Sequence, residues 1–183
     1  MRRAVFIDKD GTLIKNVPYN ANPALITLEP GAADALHLLR NHNYALVVVS
    51  NQSGIAHGYF DDRDMQGVKD RVTALLRWHG ITLDGFFYCP HHPQGAIKQY
   101  AVECTCRKPQ PGMLLKAAGL LNIDLQQSWM IGDILHDVEA GNRAGCRTVL
   151  IDNGNETEWL INSFRQPLHI TENLLQAARF ITN

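Results

Sequence analysis

Five stretches of this chain are apolar almost without interruption: 4–7 (AVFI), 44–50 (YALVVVS), 85–89 (GFFYC), 128–133 (SWMIGD) and 147–152 (RTVLID). A strand with one face in water alternates apolar and polar residues. A strand that is apolar throughout has both faces covered. Helical patterns separate the runs. Pro30-Gly31 opens one that carries Ala32, Ala35, Leu36 and Leu39 and gives out near Asn41 and Asn43. Asp61 and Asp62 stand as N-caps before a long helix through Val68, Val72, Leu75, Leu76 and Trp78, which Gly80 stops. Pro111 suits the first turn of a helix reaching Leu121. Val138, Ala140 and Ala144 mark another, ended by Gly145, and a last helix is expected over 172–181. Strands of this kind alternating with helices predict an α/β fold: a three-layer, doubly wound parallel sheet, Rossmann-like, with helices on both faces. No internal repeat, low-complexity segment or linker divides the chain, so residues 1–183 read as a single domain.

In such sheets the ligand sits at the carboxyl ends of the strands. There this chain places polar residues: Asp8 and Asp10 after the first strand, Ser50 ending the second, Asp133 ending the fourth. Asp8 and Asp10 are two apart in an extended segment and face one side, and Gly11 permits the turn that follows. Neighbouring carboxylates repel unless a cation lies between them or one holds a proton. Asp133 and Asp137, four apart at the opening of a helix, share a face. Such an oxygen-rich set suits Mg2+, although Asp137 serves equally well as a first-turn acid opposing the helix dipole. A calcium loop counted from Asp8 would need Gly at its sixth position and Glu at its twelfth; Leu13 and Tyr19 stand there.

The surrounding residues make sense if the substrate is a phosphate ester. Asp8 would attack phosphorus and form an aspartyl-phosphate. Asp10 would protonate the leaving oxygen and then activate the water that breaks the intermediate. Ser50 offers a hydroxyl, and Lys108, in CRKPQPG, an ammonium to offset phosphoryl charge. No Walker loop and no G-x-G-x-x-G is present.

Three of the four cysteines fall in CPHHPQGAIKQYAVECTC. Cys89, Cys104 and Cys106, with His91 or His92, complete a tetrahedral set for a structural Zn2+. A metal would order a long polar loop, about 89–108, that is poor in core-forming residues. Cys146 precedes an apolar strand and reads as a buried filler. Lys and Arg number 17 against 18 Asp and Glu, a net charge of -1, which points to neither nucleic acid nor an acidic membrane surface as partner. No apolar run is long enough to span a bilayer, and the one after Arg2-Arg3 is too short for a secretory signal. The expectation is a cytoplasmic monomer whose cysteines are thiols or metal ligands rather than disulfides.

D-x-D-G-T after a strand, S-N at a strand end, a lysine before proline and G-D-x-x-x-D after a strand follow one another over roughly 4–152. In this order they resemble the haloacid dehalogenase-like superfamily. The resemblance implies Asp8 as nucleophile, Asp10 as general acid and base, and Ser50 and Lys108 as phosphoryl stabilisers. It places Mg2+ on Asp8, the backbone carbonyl of Asp10, and Asp133. NQSGIA, YCPHHPQG and CRKPQPGML look like the subgroup of heptose 1,7-bisphosphate 7-phosphatases and histidinol-phosphatases, whose zinc loop stands beside the active site. The long gap between the two cysteine halves favours the heptose enzymes. The resemblance implies His91 as the zinc ligand and Asn51, Gln52 and Arg107 as substrate contacts. It also implies a small sugar phosphate as substrate and a place in lipopolysaccharide synthesis; histidinol phosphate is the alternative. The chain departs from the heptose enzymes at Ile134, where they carry Lys, and over 16–23 (NVPYNANP). Helices, one strand and the zinc loop use up the connections from Asp10 to Ser50 and from Ser50 to Lys108. No cap domain fits, and an open site shaped by loops 13–28, 51–60 and 89–108 is expected. A non-catalytic zinc-stapled binding module is disfavoured, because it gives no reason to keep Asp8, Asp10, Lys108 and Asp133 together.

Overall fold

The computed structural model describes residues 1–183. Six strands form one all-parallel sheet: β1 (Ala4–Ile7), β2 (Ala45–Asn51), β3 (Gly85–Cys89), β4 (Trp129–Gly132), β5 (Arg147–Ile151) and β6 (His169–Thr171). Their order is β3-β2-β1-β4-β5-β6. The helices are α1 (Ala32–Asn41), α2 (Ser53–His57), α3 (Asp62–Trp78), α4 (Gly112–Leu121), α5 (Leu135–Ala144) and α6 (Leu174–Thr182).

Side chains of β1 alternate across the sheet, and both sides are buried. Val5 and Ile7 join a core with α1, α3 and α6, while Ala4 and Phe6 join a second core with α4 and α5. The expected three layers are present, and double coverage explains why the strands are apolar throughout. No further domain interrupts the order of elements.

The chain runs outward from β1 to β2 and β3, then returns to lay β4 on the other flank of β1. This reversal opens a crevice at the carboxyl ends of β1 and its neighbours, the usual place for a ligand in an open α/β sheet. Ile7 pairs in register with Val48 of β2 and Ile131 of β4. The residues just past the three strand ends therefore converge.

Two elements differ from the sequence expectation. β6 is a three-residue edge strand with half-exposed His169 and exposed Ile170, so it lacks the continuous apolar signature. α2 has five residues, too few to show a helical period. At α3 the two acids divide the work. Asp61 caps the helix in a capping box with Asp64, whereas Asp62 accepts hydrogen bonds from the hydroxyls of Tyr88 (2.9 Å) and Tyr100 (2.7 Å).

Candidate active site and zinc loop

Asp8 continues the pairing of β1 with β4, its backbone N–H donating to Ile131 O at 2.9 Å. This brings its carboxylate beside those of Asp133 and Asp137, with one oxygen of each lying within 4.8 Å of the others. All three are buried. Into the same place comes Lys108 Nζ, ion-paired with Asp8 and, at 2.6 Å, with Asp137, and donating to Val49 O at 3.1 Å. One ammonium thus faces three carboxylates away from water. Burial pushes the Asp8 carboxyl well above its ordinary value; Lys108 opposes the shift, and Asp137 and Asp133 add to it. Burial, with Asp137 beside it, pushes Asp133 up to about 7. For Lys108, burial acts downward, but Asp137 and Asp8 outweigh it and hold the ammonium above its usual value. A buried, electron-rich oxygen cluster of this kind fits a divalent cation, which would replace the protons the carboxyls otherwise retain. Asp8 and Asp133 could hold Mg2+. The Asp10 carboxylate is not part of this cluster, which leaves its backbone carbonyl as the group that could join them.

Both oxygens of Asp133 have donors: Thr12 Oγ1 at 3.3 Å and Asn155 Nδ2 at 2.6 Å. Asn153, two residues earlier, donates through Nδ2 to Gly11 O at 2.7 Å. The segment after β5 therefore grips the nucleophile turn and the acid of β4 together. Gly11 has φ +81°, and a Cβ there would lie 2.2 Å from Asp133 Oδ2 and 2.4 Å from Asn155 Nδ2. Both the backbone conformation and the space require glycine.

The Asp10 carboxylate is held by Lys9 Nζ (2.7 Å) and Gln52 Nε2 (3.1 Å). Lys9 is itself almost fully buried. Gln52 Nε2 also donates to Ser50 Oγ at 2.7 Å, which leaves the Ser50 hydroxyl proton free to be donated elsewhere. Asn51 gives its whole carboxamide to Lys108: Nδ2 donates to Lys108 O (2.9 Å) and Oδ1 accepts from Lys108 N (3.0 Å). Expected as a substrate contact, Asn51 fixes the backbone that carries the ammonium. Gln52 likewise spends its amide on Asp10 and Ser50. Asp137, for which a metal role and a helix role were equally open, pairs with Lys108 and accepts from Ile134 N at 3.3 Å.

Two hollows meet here. One, of 210 Å³, is lined by Asp8, Asp10, Ser50, Lys108 and Asp133 among others. The second, of 310 Å³, shares Asp10, Asn16 and Asn51 with it and continues along Tyr19, Asn20, Gln52 and Ser53. A larger hollow beside Arg2, Arg3 and Arg40 lies at the opposite, amino ends of the strands, remote from these groups.

The expected zinc ligands also converge. Cys89 Sγ lies 3.0 Å from Cys106 Sγ and 3.5 Å from Cys104 Sγ, and Cys104 and Cys106 are 3.3 Å apart. His91 Nδ1 is 3.5 Å from Cys106 Sγ and 3.6 Å from Cys89 Sγ. Three sulfurs and one imidazole nitrogen at these separations fit the edges of a zinc tetrahedron, about 3.7 Å for Zn–S bonds of about 2.3 Å. His92 Nδ1 instead accepts from Gln94 N at 3.2 Å, so geometry selects His91 where spacing left two candidates. Cys146 is absent from the cluster; it is buried in the second core, and burial pushes its thiol up to about 12. Cys89 pairs in register with Asn51, so the loop starts beside one hollow and ends at Lys108 within it. Arg107 is half-buried, with its guanidinium donating to His91 O at 3.3 Å.

The order and geometry of these groups match known proteins. A family model described as HAD-hydrolase-like matches residues 105–177. The chain is 40% identical, over 87% of its length and 90% of the relative's, to D-glycero-beta-D-manno-heptose-1,7-bisphosphate 7-phosphatase of Salmonella typhi. The chain belongs to the haloacid dehalogenase-like hydrolases. Within them it is also 43% identical to the Photorhabdus laumondii protein of the same name, over 82% of this chain and 81% of that one. A haloacid dehalogenase-like phosphatase from Mesorhizobium loti, 34% identical, superposes with a TM-score of 0.85 over 100% of this chain and 88% of its own. The D,D-heptose 1,7-bisphosphate phosphatase of B. bronchiseptica, complexed with magnesium and phosphate, gives 0.84 at 29% identity, over 98% of this chain and 97% of that one. The family and fold expected from the motifs are thus borne out.

Proposed function

We propose that this haloacid dehalogenase-like chain is a Mg2+-dependent phosphatase that removes the 7-phosphate of D-glycero-D-manno-heptose 1,7-bisphosphate through an aspartyl-phosphate. It would act as one domain in the cytoplasm, in the supply of heptose for lipopolysaccharide. The observation that carries the reading is the convergence of Asp8, Asp133 and Lys108 in one buried hollow. No helix is long and apolar enough to cross a membrane.

Asp8, the Asp10 carbonyl and Asp133 would hold Mg2+, which would supply positive charge near the phosphoryl oxygens. Asp8 attacks phosphorus, the P–O bond to the sugar breaks, and the departing oxygen takes its proton from Asp10. Asp10 lies where the two hollows join, so the phosphoryl group occupies the smaller and the alcohol the larger. Asp10 then takes a proton from water, whose oxygen attacks the acyl phosphate and restores Asp8. Lys108, oriented by Asn51 and Asp137, balances charge on the phosphoryl oxygens. Ser50 donates its free hydroxyl proton to one of them. Cys89, His91, Cys104 and Cys106 would supply four ligands to Zn2+, a set whose role would be structural rather than catalytic.

The larger hollow favours a sugar over histidinol. Its lining includes the Asn16 amide and the Ser53 hydroxyl, which are not tied to the catalytic groups as Asn51 and Gln52 are, and its carboxylate, Asp10, is already paired with Lys9. Hydroxyl-rich ligands suit such a lining, whereas an amino alcohol would lack a free anion to meet its ammonium. Steady-state kinetics with both heptose bisphosphate anomers and histidinol phosphate test this. We expect kcat/KM for one of the anomers to exceed that for histidinol phosphate by at least about a hundredfold. The reverse order would overturn the substrate assignment.

A further inference from the structure

We propose that Tyr19, His57, Tyr59 and His92 form a stacking wall for the sugar ring of the substrate. The proposal rests on the sugar-phosphate reading above and deepens it. The four residues come from three separate connections. Tyr19 lies between β1 and α1, His57 ends α2 with Tyr59 just beyond it, and His92 belongs to the zinc loop. Nothing in local sequence requires them to meet.

Their rings nonetheless form a continuous chain of contacts. Tyr19 meets Tyr59 edge-on with centroids 4.9 Å apart and His57 at 6.1 Å. His57 and Tyr59 are stacked at 28° and 5.6 Å, and His57 reaches His92 at 4.8 Å. The cluster is no core: Tyr19 is 54% exposed and Tyr59 63%. Tyr19 also adopts φ +52°, the left-handed region that a bulky side chain ordinarily avoids. An aromatic held in an unfavourable backbone conformation while its ring stays in solvent gains little from burial. Such strain gathers at ligand sites.

The position of Tyr19 supplies the link to chemistry, because it lines the 310 Å³ hollow together with Asp10, Asn51 and Gln52. A substrate whose phosphoryl group lies on Asp8 extends its leaving group into that hollow and reaches the wall. A pyranose ring has an apolar C–H face and a hydroxyl rim. Tyrosine and histidine rings offer both counterparts, an aromatic face for the first and a hydroxyl or ring nitrogen for the second. The Asn16 amide and the Ser53 hydroxyl, which line the same hollow, add polar partners for a polyol.

The test compares two phosphoryl donors, heptose 1,7-bisphosphate and acetyl phosphate, which has no ring. Tyr19→Ala and Tyr59→Ala should each raise KM for the heptose ester about tenfold more than for acetyl phosphate. Tyr19→Phe, which keeps the ring, should recover most of that difference. Equal losses on both donors would mark a merely structural effect and overturn the wall. A wild type that consumes the heptose ester and an alanine variant with the same KM would overturn the wall alone. A wild type that hydrolyses acetyl phosphate but leaves the heptose ester intact would overturn the substrate assignment, and the wall with it.

Discussion

Asn155 has no place in any motif of the chain, yet it makes the shorter of the two hydrogen bonds to Asp133, 2.6 Å against 3.3 Å from Thr12. A ligand carboxylate held by neighbouring donors is fixed in orientation, and such partners carry much of a metal site's affinity. Asn155→Ala should therefore raise the Mg2+ dissociation constant about 10- to 100-fold. Calorimetric titration of the substrate-free protein reads this directly, and an unchanged affinity would remove Asn155 from the metal's support. Asp8, Asp10, Ser50 and Asp133 were legible in the sequence because each stands at or near a strand end with a charge or hydroxyl that stability alone does not explain, and Lys108 because it stands before proline in CRKPQPG. Asn153 and Asn155 were not, because DNGNETE reads as turn chemistry and their partners lie more than a hundred and about twenty residues away, respectively. Buried Lys9 was hidden in the same way: only the folded chain reveals that its ammonium points inward to Asp10.

At the scale of elements, the loop that carries the Cys/His cluster also delivers Lys108 to the site. It leaves β3 at Cys89, closes on itself at Cys104 and Cys106, and two residues later presents Lys108. Without metal, three thiols and an imidazole at separations of 3.0–3.6 Å would be held together chiefly by weak thiol contacts. Removing zinc with a strong chelator and then restoring excess Mg2+ should leave most activity unrecovered, with new proteolytic cleavage confined to 89–108. Full recovery with Mg2+ alone would show that the loop needs no zinc to place Lys108. The convergence of the loop's three cysteines with a histidine was legible from their spacing, except for the choice between adjacent histidines, which depends on backbone direction. The strands divide along similar lines. Four are buried on both faces and announce themselves as apolar runs, and β3 keeps an apolar run although it is an edge strand and only half-buried; β6, short and at the other edge, is held by its ladder to β5 and carries no such signal.

For the whole molecule, the end of the sheet opposite the active site is tied by Asp84. Its carboxylate receives Arg2 at 2.7 Å, Arg40 at 2.7 Å and Leu46 N at 2.9 Å, joining the segments before β1 and β3 to α1 and β2. Burial alone would raise Asp84, but the Leu46 N–H and the two guanidinium groups outweigh it and hold the carboxyl below its ordinary value. A carboxyl depressed on folding stabilises the fold above its unfolded pKa, about 3.9. That contribution fades as pH falls through the lower folded value. Asp84→Asn should therefore cost about 1 kcal/mol at neutral pH, kept modest by the exposure of both arginines. The difference from wild type should shrink toward zero in the acid range, as read by denaturant unfolding at several pH values. A difference that persisted unchanged into strong acid would rule out the charge as its source.

The absence of an inserted cap has its own consequence. With no lid to swing, nothing has to open before a substrate enters or a product leaves, and no moving part shuts bulk solvent out of the smaller hollow. The leaving group must do that itself by lying against the aromatic rings and plugging the larger hollow behind it. The substrate is its own stopper, and esters too small to fill the passage react in a wetter, less productive site.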